Sequence, residues 1–252
     1  MSTLDIPAYL ARIAYSGQTE PSAATLRAIH RAHLFAVPFE NLDIALGRKI
    51  VTDEATILKK IVGLRRGGFC YELNGAFAAL LRALGFNVSL LSARAARPNA
   101  SEGPEFDHLT LRVDLEEAWL ADVGFGESFL EPLRLEPVIE QSDPAGKFRL
   151  IEKGDRIHME RAGTEMLWKP QYSFSLQAHR LEDFSGMCHY HQTSPDSHFT
   201  QKRICSRATH NGRITLSEMK LIVTSNGQRE ERVLLSEHKW NSVLQEQFGI
   251  KL

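Results

Sequence analysis

The stretch 64-LRRGGFCYELNGAF-77 joins a basic, glycine-bearing approach to a run in which Leu73, Phe77, Leu80, Leu81 and Leu84 recur at the 3.6-residue period. That spacing predicts a helix beginning around Cys70 and stopped by Gly85. The chain has only three cysteines in 252 residues, and one of them opens this helix. A thiol in that place is either a small buried apolar group or a nucleophile. The remaining residues decide between the two, according to whether they supply a base and an orienting carboxylate.

On the N-terminal side the pattern is helical. Asp5 and Pro7 predict the start of a helix running through 8-AYLARIAYSG-17, and Pro21-Ser22 opens a second over 23-AATLRAIHRAHLF-35. Leu26, Ile29, His30 and His33 share one stripe of that second helix, and 53-DEATILKKIV-62 has an acidic first turn and helical apolar spacing. After Gly85 the period changes to alternation, in 86-FNVSLLSAR-94, 108-HLTLRV-113, 118-AWLADV-123, 148-FRLIEKGDRIHMER-161 and 172-YSFSLQ-177. These read as antiparallel strands with polar turns. The last part mixes strands in 213-RITLSEMKLIVTS-225, a turn at Asn226-Gly227 and a helix over 236-SEHKWNSVLQEQF-248. The class is α+β: a helical bundle over 1–85, a small antiparallel sheet or barrel over 86–185 and a mixed α/β cap over 186–252.

Thirty basic against 31 acidic side chains leave the charge near zero, so nothing predicts binding to nucleic acid or anionic membrane. No apolar run reaches membrane-spanning length, and the first residues lack the pattern of a signal peptide. Three cysteines without a close-spaced framework point to reduced thiols and the cytoplasm.

The segment 108-HLTLRVDLEEAWLADV-123 bears on the thiol. Folded back at Asp114–Glu116, it sets Leu109 opposite Ala121 and Leu111 opposite Trp119 on the apolar face. The same register puts His108 directly across from Asp122, roughly 5 Å apart at Cβ. An imidazole beside a carboxylate is what a cysteine nucleophile needs. The thiolate is the reactive form, so the thiol is expected to titrate below its free value of about 8.5. The helix N-terminus and an imidazolium both favour that, and the aspartate would fix the ring's tautomer. Gly67 and Gly68 allow a close backbone approach, with amides near Cys70 able to serve an oxyanion. Taken together these residues indicate a thiol acyl-transfer site.

The same residues resemble those of the arylamine N-acetyltransferases. The RGG-aromatic-C hallmark is seen in 66-RGGFCYELN-74, and the H-L strand and D-V-G-F-G turn in 108-HL-109 and 122-DVGFG-126. Two further matches are 38-PFENLD-43 and 193-TSPDSHF-199, and the resemblance runs from Tyr9 to 248-FGI-250. It implies a three-part fold with a cysteine-protease or transglutaminase-like core: helical bundle, antiparallel β-barrel and α/β lid. It implies a catalytic triad of Cys70, His108 and Asp122. The implied activity moves an acetyl group from acetyl-coenzyme A to an arylamine, arylhydrazine or N-hydroxyarylamine through an acetyl-cysteine, as in xenobiotic metabolism. Phe125 and Gly126 match the turn beside the active site, Phe199 matches an aromatic lining the acceptor pocket, and Arg66 and Glu40 match bracing residues. Acetyl-coenzyme A is then a substrate, with no tightly bound cofactor, no metal, no nucleic-acid or membrane partner, and a monomer or homodimer as the expected state.

Two other functions compete. A papain- or transglutaminase-type hydrolase acting on an amide would use the same triad. A metal-binding module would draw on 188-CHYH-191, with Cys188, His189, His191 and Cys205; read as a strand, it puts His189 and His191 on one face. The unit Gly124-Phe125-Gly126 is too short for a dinucleotide fingerprint.

Overall fold

The computed structural model describes residues 4–97, 101–137, 139–163 and 167–252. The chain opens with α1 (Ile6–Arg12), capped by Asp5 on the Ala8 N–H, and α2 (Ala23–Ala36), capped by Ser22 on the Thr25 N–H. Helix α1 is shorter than its sequence pattern suggests, because the backbone turns into the left-handed region at Ala14 (φ 52°). Leu26, Ile29, His30 and His33 of α2 are all buried, as their stripe predicts. A short strand β1 (Phe39–Glu40) and helices α3 (Leu42–Ala45) and α4 (Glu54–Leu58) follow. Helix α4 runs into a wider π-helical turn, Lys59–Gly63, instead of continuing as α-helix. The central helix α5 (Cys70–Ala83) is buried at every position from Cys70 to Leu81.

Eight strands make the second layer: β2 (Asn87–Ala95), β3 (His108–Asp114), β4 (Ala118–Ala121), β5 (Leu133–Arg134), β6 (Glu140–Asp143), β7 (Gly146–Lys153), β8 (Arg156–Ala162) and β9 (Trp168–His179). They pair antiparallel in the order β5-β4-β3-β2-β9-β8-β7-β6. The two edges meet through side chains. Gln141 Oε1 accepts from Arg134 N–H at 2.7 Å, its Nε2 donates to Arg134 O at 2.9 Å, and Asp143 accepts from the N–H groups of Leu130 and Glu131. The sheet is thus a nearly closed barrel, filled by Leu91, Leu120, Phe129, Phe148, Met159 and Phe174.

The β3–β4 hairpin departs from the register read in the sequence. Leu111 pairs with Ala121, Val113 with Trp119 and Asp114 with Ala118, a shift of two residues. The turn occupies residues 115–117 and closes with Leu115 N–H donating to Glu117 O. His108 and Asp122 are therefore not directly opposite. A two-residue shift keeps every side chain on its face, so the two still point the same way.

Helices α6 (Ser185–Thr193) and α7 (His198–Gln201) lead into a second sheet, β10 (Ile204–Thr209), β11 (Gly212–Ser217), β12 (Lys220–Ser225) and β13 (Gln228–Val233), closed off by α8 (Glu237–Phe248). Its order, β1-β10-β11-β12-β13, takes its edge strand from the N-terminal region. The segment 188–191 is helical, so the shared strand face considered for His189 and His191 does not exist. The fold is α+β, a helical bundle and a near-closed antiparallel barrel joined by an α/β lid. No helix among the described residues is long and apolar enough to cross a membrane.

Candidate active site

The approach to Cys70 is held by buried charge. Arg66 donates to Glu40 Oε1 and Asp43 Oδ1, while Lys60 reaches Asp43 Oδ2 and Glu72 Oε1, each at 2.7 Å. The π-helical turn carries Lys60 into this cluster, and three carboxylates raise its pKa even though burial opposes the charge. Burial pushes the Glu72 carboxyl up to about 7, with Lys60 pulling it down and Glu40 adding to the rise. Glu72 Oε2 also accepts the Phe69 N–H at 3.2 Å, so that amide is not free to serve an oxyanion. Gly67 is required by contact and not by its dihedrals: a Cβ there would lie 2.0 Å from Pro38 O.

Cys70 begins α5, as the periodicity predicts, and its thiol contacts the backbone of Leu109 at the start of β3. Burial pushes this thiol well up, outweighing the Leu109 contact, and Asp122, Cys188 and Asp107 add to the rise. The lowered thiol expected from the sequence is therefore not what the site imposes. A lone thiolate is disfavoured here, whereas proton transfer to a neighbouring imidazole forms a neutral pair overall and escapes most of that cost.

His108 Nε2 lies 2.6 Å from Asp122 Oδ2, with both side chains almost wholly buried. Burial alone would raise the Asp122 carboxyl. His108, Asn74 and the Gly124 N–H together hold it below the ordinary carboxylate range. Asn74 Nδ2 donates to Asp122 Oδ1 at 2.9 Å and to Leu109 O at 2.6 Å, and its Oδ1 accepts from Val123 N–H at 2.9 Å. His30 of α2 completes the cage, since its Nε2 accepts from the Asp122 N–H at 3.1 Å and its Nδ1 meets Leu130 O at 2.9 Å. Neither Asn74 nor His30 was singled out as a site residue from the sequence. For Asn74 a signal existed: a polar amide four residues after Cys70, on the apolar face of a helix it does not favour. Gly124 closes against these groups, where a Cβ would fall 2.7 Å from Asn74 Nδ2 and 2.8 Å from Cys70 Cα.

Cys70, His108, Phe125, Gly126 and Phe199 all line one cavity of about 490 Å³, while Asp122 stands behind His108. Phe125 packs edge-on to His108 at 5.0 Å and to Tyr172 at 4.9 Å; Phe199 does so to Phe69 at 5.8 Å. Arg66 and Glu40 remain outside the cavity, in the charge cluster. The residues of the metal-binding alternative do not converge. Cys188 lies against Ile50 O and Gln192, Cys205 is buried in a third core cluster, and no group of three or more His, Cys, Asp or Glu among the described residues could hold a metal ion.

The site thus brings together a buried cysteine at a helix start, a His–carboxylate pair on a barrel hairpin and an aromatic-lined cavity. Residues 22–252 match the family model described as N-acetyltransferase. The arylamine N-acetyltransferase of Escherichia coli K12 is 37% identical over 246 residues, covering 96% of this chain and 87% of that protein. The arylamine N-acetyltransferase / N-hydroxyarylamine O-acetyltransferase of Salmonella typhimurium is 35% identical, covering 96% and 88%. The structure of Mycobacterium marinum arylamine N-acetyltransferase in complex with CoA superposes with a TM-score of 0.90 at 31% identity, over 98% and 93% of the two chains. The chain belongs to the arylamine N-acetyltransferase family.

Proposed function

We propose that the protein transfers an acetyl group from acetyl-coenzyme A to an arylamine, arylhydrazine or N-hydroxyarylamine, with Cys70 as nucleophile, His108 as proton carrier and Asp122 as its orienting carboxylate. The observation that carries this is the 2.6 Å His108–Asp122 contact beside the cavity that Cys70 lines. Asp122 takes Nε2 of the ring, leaving Nδ1 to exchange a proton with the thiol.

As Cys70 Sγ bonds to the acetyl carbon, its proton passes to His108. The imidazolium returns that proton to the departing coenzyme A sulfur, leaving acetyl-Cys70 and a neutral ring. The amine nitrogen then attacks the thioester, gives a proton to His108, and the proton goes back to the Cys70 sulfur. Asp122 stabilises the imidazolium in both halves, which matters because burial pushes the thiol up and opposes a thiolate without that partner. Phe125 and Phe199 favour an aromatic acceptor by stacking and by excluding water, so the thioester meets an amine before it meets solvent. Gly126, in the left-handed region (φ 88°), has its carbonyl held by Arg213 and shapes the cavity wall.

The same reading takes acetyl-coenzyme A as a substrate and not a resident group, a cytoplasmic location, and a division at residues 85/86 and 185/186. Initial rates test it: double-reciprocal lines for donor and acceptor should run parallel. Phe125→Ser should raise KM for the arylamine more than for the donor. Cleavage of peptide or amide substrates, with no acceleration of coenzyme A release by arylamines, would point to the hydrolase instead.

A further inference from the structure

The cavity wall carries a second His–carboxylate pair that the reaction above does not use. His191 of α6 brings its Nε2 within 3.3 Å of Asp107 Oδ1 and, at the same distance, of the Asp107 carbonyl oxygen. Its Nδ1 faces Ser197 Oγ at 3.2 Å, and Tyr71 and Phe199 pack against the ring at 6.2 and 5.1 Å. The backbone there is anchored as well, since Tyr71 Oη donates to Phe106 O at 2.7 Å. Both Asp107 and His191 line the cavity that contains Cys70, and the charge of Asp107 is close enough to contribute to the rise of the thiol.

This pair is built to hold a carboxylate in place. His191 engages Oδ1, while Oδ2 has no hydrogen-bond partner among the described residues. That oxygen packs against Gly103, where a Cβ would come within 2.1 Å of it, while Asp107 itself lines the cavity. An ionised carboxylate accepts hydrogen bonds and donates none. On a cavity wall that Phe199 also lines, it would complement an aryl group that carries a hydrogen-bond donor. It would oppose one that presents only lone pairs.

We propose that Asp107, held by His191, is the polar end of the acceptor site and selects aromatic amines and hydrazines bearing a second hydrogen-bond donor, such as a ring hydroxyl or a further N–H. This rests on the acetyl-transfer reading and deepens it. His191 acts through Asp107 and is a positioning residue; Asp107 is the group that meets the acceptor. The contact also ties α6 of the lid to the segment entering β3, so a purely structural brace is the alternative to be tested.

Matched acceptors separate the two. The 3- and 4-hydroxyanilines should be compared with the corresponding methoxyanilines, which are electronically similar but lack the donor. In a two-stage reaction, kcat/KM for the acceptor reports only the second stage, so the ratio within a pair cancels any damage to acetyl-enzyme formation. The hydroxyl member of at least one pair should be favoured by about tenfold or more in the wild-type protein. Asp107→Asn should cut that ratio and Asp107→Ala should bring it to near unity, with His191→Gln lying between. A wild-type ratio near unity for both pairs overturns the proposal without any variant. A ratio that survives Asp107→Ala overturns it too and leaves the pair as a brace. Complete absence of an acetyl-enzyme overturns both this and the acetyl-transfer reading, whereas a normal acetyl-enzyme with no pairwise preference overturns only this.

Discussion

Asp122 Oδ2 lies 2.6 Å from His108 Nε2, although the strand register puts Asp122 two positions away from the residue across from His108. The contact is diagonal, so ladder pairing alone does not aim the carboxylate. Its other oxygen is held by Asn74 Nδ2 and by the Gly124 N–H, each at 2.9 Å, and its backbone N–H by His30. The aspartate is thus fixed from three elements at once, and it has one task left, to hold the imidazole.

Asp122→Asn tests that task. The amide nearly matches the carboxylate in shape but cannot stabilise an imidazolium, and it favours the wrong tautomer of the ring. Turnover should drop by about 10³–10⁴. Thermal unfolding measured alongside separates this from loss of fold, and near-normal turnover in a folded variant would reduce Asp122 to a structural role.

How much of this was legible in the sequence follows from the kind of signal each feature leaves. Helix α5 was legible because Leu73, Phe77, Leu80 and Leu81 mark one buried face, and all are buried. The hairpin was legible in its faces but not in its register. Alternation fixes parity, whereas the three-residue turn at 115–117 fixes the pairing. That is why His108 and Asp122 were brought together for a reason that needed correcting. Helix α6 was not legible because Cys188, His189 and His191 have no strong helical stripe, and its buried positions, Cys188 and His191, are a thiol and an imidazole. The cage around Asp122 was least visible. Asn74 and His30 lie 48 and 92 residues from Asp122, and only tertiary packing unites them.

The buried charge cluster predicts a pH dependence of stability. Burial raises the Glu72 carboxyl from 4.5 to about 7, so the folded protein binds a proton there that the unfolded chain has already lost. This contribution is fully present below pH 4.5 and is lost as pH rises to about 7. Relative to Glu72→Gln, the wild-type protein should lose on the order of 2–3 kcal/mol across that window. Lys60 does not obscure this, because its own pKa is raised and it stays charged throughout. Urea unfolding of both proteins at several pH values measures it. A difference that grows in favour of the wild type as pH rises would show Glu72 to be an ordinary ion-paired carboxylate.

The raised thiol makes a separate prediction about reactivity. With burial dominating, Cys70 depends on His108 to lose its proton. In His108→Gln, alkylation of Cys70 by iodoacetamide should climb with pH through about 9 without reaching a plateau. At neutral pH the wild-type thiol should react at least about tenfold faster than the variant. Equal rates at neutral pH would mean that the imidazole does not serve the thiol.

The most direct test of Cys70 as acyl carrier is the intact mass of the protein after exposure to acetyl-coenzyme A alone. A single acetyl group should appear, mapped to Cys70 by peptide analysis, absent from Cys70→Ser and discharged when an arylamine is added. Cys188→Ala and Cys205→Ala should still acquire it. An unmodified protein, or an acetyl group carried on another residue while arylamines are still acetylated, would contradict the account.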